Sequence, residues 1–340
     1  MDAFAQLPAG ERRIYFEQTA ARMGVSPQII EKDFWVCWTL KQLFALPDIG
    51  SHLIFKGGTS LSKAFKLIER FSEDIDVSIE RGYLGFGGDN EPEAGSSNKE
   101  KQRRIEALKA ACQRKIEGDL LPALTKVIQS KSLSSEKWLL RPDDSDPDEQ
   151  TLIFEYPQVN RSETAGYVRR IVKIEMGARS DHWPSEAKPV SPYVAEKFPK
   201  AFREVSCSVK VLAAERTFWE KATILHAEYH RPPDKAMPDR FSRHYCDFYE
   251  LIQKGVARIA TTQPELLVRV AQHKSLFFKS AWARYGEATR GTLRIMPPEQ
   301  RLAALRDDYR KMQEMFFGTP PAFDAMIHAL QQWETDFNRK

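Results

Sequence analysis

Apolar positions in the first fifty residues fall at helical spacing. Within SPQIIEKDFWVCWTLKQLFAL, Ile30, Phe34, Cys37, Leu40 and Phe44 follow one another at steps of three or four, the period of one helix face. Ser26 and Pro27 stand before them as a helix-start signal. The pattern then changes. Leu53–Phe55 is a short apolar strand, and Gly57 and Gly58 turn the chain into a helix predicted over about Thr59–Glu69. From Phe71 to Glu80 the period becomes two, so Ile75, Val77 and Ile79 share one face of a strand while Asp74 and Asp76 share the other.

Residues 81–98, RGYLGFGGDNEPEAGSSN, hold five glycines and one proline and predict a mobile loop. A charged helix is predicted from Lys99 to Ser130, followed by an acidic loop at 141–150. Strands are predicted at Thr151–Tyr156 and Tyr167–Met176. Near Val211 a long helix begins with VLAAERTFWEKATILHAEYH, RPPDKAMP breaks it, and the chain from Asp239 onward reads as helical, interrupted at Pro297 and Pro298. There is no internal repeat. The layout predicts an α/β (α+β) fold: an N-terminal helical segment (1–50), a core with a mixed sheet (51–235) and a helical C-terminal domain (236–340).

Composition narrows the class. At 340 residues, 42% hydrophobic and 29% charged, the chain resembles an ordinary soluble globular protein. No apolar run approaches the roughly 20 residues of a membrane span. Glu11, Arg12 and Arg13 stand where a signal peptide needs apolar residues. Cys37, Cys112, Cys207 and Cys246 lack metal-ligand spacing and read as reduced thiols of a cytoplasmic protein. Residues 251–300 carry eight Lys/Arg against three Asp/Glu, whereas the first fifty carry five against six. Positive charge is thus concentrated toward the C-terminus, where a polyanion could dock.

The chemistry centres on FKGGTSLSKAFKLIERFSEDIDVSIE (55–80). Asp74 and Asp76, about 7 Å apart along a strand face, repel one another unless cations lie between them. Such hard oxygen donors suit Mg²⁺ or Mn²⁺. Gly57 and Gly58 permit close backbone approach, and Thr59–Ser60 lie at a helix N-terminus that favours phosphate. Ser60 and Lys63 add a hydroxyl and a charge. Alone, GGTS is a capped turn and DID a solvated strand face; their succession points to a nucleoside triphosphate and its metal ions. RRIVKIEMGAR offers a third acid, Glu175, beside Lys173 on one strand face. Lys221, mid-helix among apolar residues, is either a phosphate-binding lysine or a snorkelling one.

FKGGTSLSKAF…RFSEDIDVSIE, VKIEMG, AERTFWEKATILHAEYHR and RHYCDFYEL, with IIEKDFWV upstream, resemble the successive motifs of the AbiEii/AbiGii toxin family. That family belongs to the DNA polymerase β-like nucleotidyltransferases. The resemblance implies that Gly58 and Ser60 bind phosphate, that Asp74 and Asp76 ligate metal, and that Lys173, Glu175, Lys221 and Asp247 fill the family's later motif positions. Glu175 stands where the superfamily usually has aspartate, and His244 near a position usually acidic. The resemblance further implies an NTP-dependent toxin of a toxin–antitoxin system, with a cognate antitoxin encoded nearby and an RNA acceptor such as the tRNA 3′ end.

Other readings are weaker. In HAEYH, His226 and His230 lie one helical turn apart, but Ala227 occupies the place of a zincin glutamate. GFGGDN lacks the lysine and helix of a P-loop. A kinase-like phosphotransferase or a protein nucleotidyltransferase would use the same metal and triphosphate geometry. A catalytically inactive binding protein is disfavoured by the intact acids.

Overall fold

The Ser26 hydroxyl accepts the Ile29 N–H and Pro27 opens the helix Pro27–Phe44, a capped start with proline at the first helical position. The computed structural model describes residues 1–131, 137–159 and 169–339. These form two compact units: Met1–Phe65 with Phe71–Leu212, and Lys66–Arg70 with Ala213–Lys340. They do not coincide with segments 1–50, 51–235 and 236–340. Phe34, Trp35 and Trp38 of the Pro27–Phe44 helix are fully buried, and Trp35 and Trp38 pack on Phe154 of the sheet. The N-terminal helices therefore share a core with the strands.

Seven strands form one sheet: β1 (Leu53–Lys56), β2 (Ile75–Ile79), β3 (Leu139–Pro142), β4 (Thr151–Glu155), β5 (Val172–Gly177), β6 (Ser185–Val190) and β7 (Cys207–Leu212). Their order is β3-β4-β5-β2-β1-β7-β6. β1 runs parallel to β7 and β2 parallel to β5; the other pairs are antiparallel. Register explains the two faces. Phe55 pairs with Val77, Ile75 with Ile174, and Leu152 with Ile174, so one face is apolar and takes the buried tryptophans. Lys56 pairs with Asp76, Asp76 with Glu175, and Glu175 with Thr151, so the opposite face carries a polar row at one level of the pleat.

The predicted long helix near Val211 begins later, at Ala214, and runs to Tyr229. Val209 and Val211 are buried in β7, where period two outweighs the helix-like run that follows. The predicted strand ending at Met176 starts at Val172 as described; Tyr167 and Val168 lie outside the described residues. The helix over 99–130 forms as Asn98–Lys115 and Leu121–Ser130, joined by a π-helical turn at Ile116–Leu120. The glycine-rich stretch after β2 contains three short 3₁₀ turns.

The second unit is helical. Phe218 of the Ala214–Tyr229 helix stacks on Phe248 of the Ser242–Gln253 helix at 4.5 Å. Both meet Trp333 of the Phe323–Arg339 helix edge-on. Burying aromatic side chains of this size contributes about 1.5–3 kcal/mol each.

Candidate active site

Strand pairing assembles the acids. Asp76 lies on β2, centrally in the sheet, with Lys56 as its register partner on one side and Glu175 on the other. Asp74 lies two residues before Asp76, where the chain enters β2. Asp74, Asp76, Lys173 and Glu175 are half-buried. Lys173 Nζ is 2.7 Å from a Glu175 carboxylate oxygen. Burial pushes the Lys173 ammonium toward lower pKa, but Glu175, Asp74 and Asp143 more than offset this and raise it. The lysine thus stays charged among the acids.

Gly57 shows why the turn is glycine. Its φ is +79°, and a Cβ there would stand 2.0 Å from the Asp76 Oδ2 atom. The Asp76 carboxylate occupies the space that any other side chain would fill. The helix that follows is short, Gly57–Lys63, and Lys66–Arg70 beyond it belongs to the second unit.

Thr59 and Ser60 are buried, and their hydroxyls are engaged within the protein. Thr59 donates to the Asp74 carbonyl and lies 2.9 Å from the Ser72 hydroxyl; Ser60 donates to the Gly57 carbonyl at 2.8 Å. Lys63 does not fit the expected phosphate contact. It is 4% exposed, its ammonium is 2.7 Å from Asp33 Oδ1, and it lies over the Tyr193 ring at 3.4 Å. Its charge is already matched by a buried carboxylate.

Three consecutive charged residues of the Pro27–Phe44 helix are each paired with a different segment of the first unit, a role that their sequence pattern did not disclose. Glu31 accepts the Val159 N–H at 2.6 Å. Lys32 is 2.6 Å from Glu73, the residue before Asp74, and donates to the Arg169 carbonyl at 2.7 Å. Asp33 holds Lys63 and also accepts the Tyr193 N–H at 2.7 Å. All three are buried. A charged triplet on an apolar helix is the available signal: buried charges require partners.

In the second unit, Lys221 neither snorkels nor stands alone. Its ammonium is 2.7 Å from Asp247 Oδ2. Arg70 grips the same carboxylate through Nε at 2.7 Å and Nη2 at 2.8 Å. Burial alone would raise the Asp247 pKa, yet Arg70 and Lys221 together hold it well below the usual carboxylate range. Burial, with the charges of Lys221, Arg243 and Arg70, keeps His244 neutral, its pKa far below the usual histidine value. His226 is not a zinc ligand. Its Nδ1 accepts the Arg294 N–H at 3.0 Å and its Nε2 lies 3.1 Å from the Arg284 carbonyl, so both ring nitrogens are engaged.

Among the described residues, no group of three or more His, Cys, Asp or Glu side chains is arranged to hold a metal ion. Asp76 and Glu175 are nevertheless adjacent register partners, and their hard oxygens suit a small divalent cation. Among the described residues no helix is long and apolar enough to cross a membrane. The four cysteines are unpaired.

The family described as nucleotidyl transferase AbiEii toxin, Type IV TA system, matches residues 38–333. The chain belongs to the AbiEii nucleotidyltransferase toxin family. The match spans the polar row, the Gly57 turn and the Arg70–Asp247–Lys221 cluster alike. The fold of this AbiEii chain is also similar to MenT4, a nucleotidyltransferase toxin from Mycobacterium tuberculosis H37Rv, with a TM-score of 0.53 and 15% identity over 96% of this chain and 90% of that chain. No curated protein sequence matches it. The AbiEii chain is thus a nucleotidyltransferase, and membership of a toxin–antitoxin family implies an antitoxin partner.

Proposed function

We propose that this toxin transfers a nucleoside monophosphate from an NTP to an RNA 3′ hydroxyl, with the tRNA acceptor end as the preferred target. The observation that carries the reading is the half-buried row of Asp76 and Glu175, with the Asp76 carboxylate seated over Gly57. Asp74, Asp76 and Glu175 would hold Mg²⁺ or Mn²⁺, which when bound lowers the pKa of an attacking hydroxyl and neutralises phosphate charge.

The chain's own residues supply the rest. Backbone N–H groups from Gly57 to Ser60 receive the triphosphate, because the Thr59 and Ser60 hydroxyls are already bonded internally. Lys173 balances the charge of departing pyrophosphate, and Glu175 takes the proton of the attacking hydroxyl. On the second unit, Arg258, Lys274, Lys279, Arg284 and Arg294 are assigned to RNA phosphates.

Incubation with each α-labelled NTP, a divalent cation and total RNA tests the reading. Label appearing at tRNA 3′ ends is the expected result. Label in RNA from γ- but not α-labelled NTP would replace it with a phosphotransferase, and label in protein with a protein nucleotidyltransferase.

A further inference from the structure

The second unit contains a cavity of about 460 Å³, within the range of small-ligand pockets. Trp333, Asp336 and Phe337 reach it from one face of the Phe323–Arg339 helix, at spacings of three and four. Ile252 adds apolar wall, and Arg258 and Arg290 stand at its edge, both exposed. Trp333 and Phe337 stack at 5.0 Å with their planes 7° apart, and the Arg290 guanidinium lies 5.1 Å from the Phe337 ring centroid.

Three charged side chains of this pocket, Arg258, Arg290 and Asp336, have bonding capacity left over. Among the described residues, neither Arg258 nor Arg290 has a carboxylate within ion-pair distance. Asp336 receives one hydrogen bond, from Gln332 to Oδ2 at 3.0 Å, which leaves Oδ1 to accept another. An apolar peptide would need no paired guanidinium groups at the rim. A simple anion would gain nothing from the aromatic wall and would be repelled by Asp336. A flat heteroaromatic ring with an amine on its edge and phosphates on either side uses all of them: rings pack on the wall, the amine donates to Asp336, and the arginines meet the phosphates.

We propose that this cavity binds one unstacked nucleobase of a single-stranded RNA segment, with Arg258 and Arg290 on the flanking phosphates. The proposal rests on the reading that RNA is the acceptor, and it adds a base-binding subsite outside the carboxylate row. It makes recognition of the acceptor depend on an unpaired segment, and it favours bases that carry an exocyclic amine.

The test uses the full chain and fluorescein-labelled RNA hairpins of one stem, either blunt or with a three-nucleotide 3′ extension of A, C or U. Wild type is expected to bind the extended hairpins about tenfold more tightly than the blunt one, the scale of one stacked base. Arg258→Ala combined with Arg290→Ala is expected to abolish that gap. Asp336→Asn is expected to narrow the preference for A and C over U. Trp333 is left intact because it also packs on Phe218 and Phe248. A gap that survives in the double variant, or equal binding of blunt and extended hairpins by wild type, overturns the pocket. Unchanged base preference in Asp336→Asn removes the carboxylate from it. Label transfer from α-labelled NTP to RNA is measured in parallel on wild type. Transfer accompanied by undiminished binding in the double variant ends the pocket proposal alone. Pocket-dependent binding without transfer ends the acceptor proposal alone.

Discussion

Gly57 and Asp76 are best understood as one feature, because the absence of one side chain makes room for the other. Gly57→Ala would meet Asp76 Oδ2 and sit at a φ of +79°, a backbone penalty of about 1–3 kcal/mol. The expected outcome is modest destabilisation in urea titration with loss of nucleotide transfer. Asp76→Asn keeps the shape and removes the charge, so transfer should fall by at least about a hundredfold with the melting temperature held; undiminished transfer would remove Asp76 from the chemistry. Lys221→Ala leaves Asp247 with Arg70 alone. Loss of a charged, buried hydrogen bond predicts about 1–3 kcal/mol of destabilisation. NTP affinity of the folded variant then separates a phosphate role from a structural one. The shared strand face was legible because period two places Asp74 with Asp76 and Lys173 with Glu175. Lys63 was misread because Asp33, its partner, lies on a different helix and no local pattern records the pairing.

At the scale of elements, the Pro27–Phe44 helix acts as a ruler laid across the first unit. Glu31, Lys32 and Asp33 each fix a different segment: the residues that follow β4, the residues before Asp74, and the short helix Gly57–Lys63. Asp33→Asn would strand the Lys63 charge in the interior. Breaking a buried pair from one side costs about 3–5 kcal/mol, so this variant should unfold at markedly lower denaturant than wild type. An Asp33→Asn, Lys63→Met double variant should recover part of that loss, and equilibrium unfolding curves of the three proteins decide the point. The helix itself was legible from its spacing and its Ser-Pro start. β3 and β6 were not. Each is an edge strand, β6 is largely solvent-facing and contains Pro189, and such strands carry little apolar alternation. β7 alternates, but its final residues run without a break into the helix that begins at Ala214.

The molecule as a whole is set for neutral pH. Burial lowers His226 to about 4 despite its bonds to Arg284 and Arg294, and it lowers His182 to about 4. Unfolded, these rings titrate near about 6.5. The folded state therefore binds fewer protons between those values, so stability is complete above about pH 6.5 and falls as pH drops toward about 4. Asp247 acts at a lower range: its depressed carboxyl keeps its contribution through mild acid and loses it only in strong acid. Calorimetric melting should show a clear drop from pH 7 to pH 5, and His226→Gln should reduce that drop. A melting temperature independent of pH over this interval would contradict the buried neutral histidines.

Lys66–Arg70 has a further consequence. The chain leaves the first unit after Phe65, contributes five residues to the second, and returns at Phe71. Neither unit is therefore a continuous piece of gene. A reading frame stopped after Leu212 would still encode Arg70 but not Asp247, the carboxylate it grips. During synthesis, the nascent chain carries that arginine without its carboxylate until the ribosome has passed codon 247. A prematurely terminated product should accordingly be harmless to the cell that makes it, and growth curves with stop codons placed at 213 and at 340 would show whether this holds.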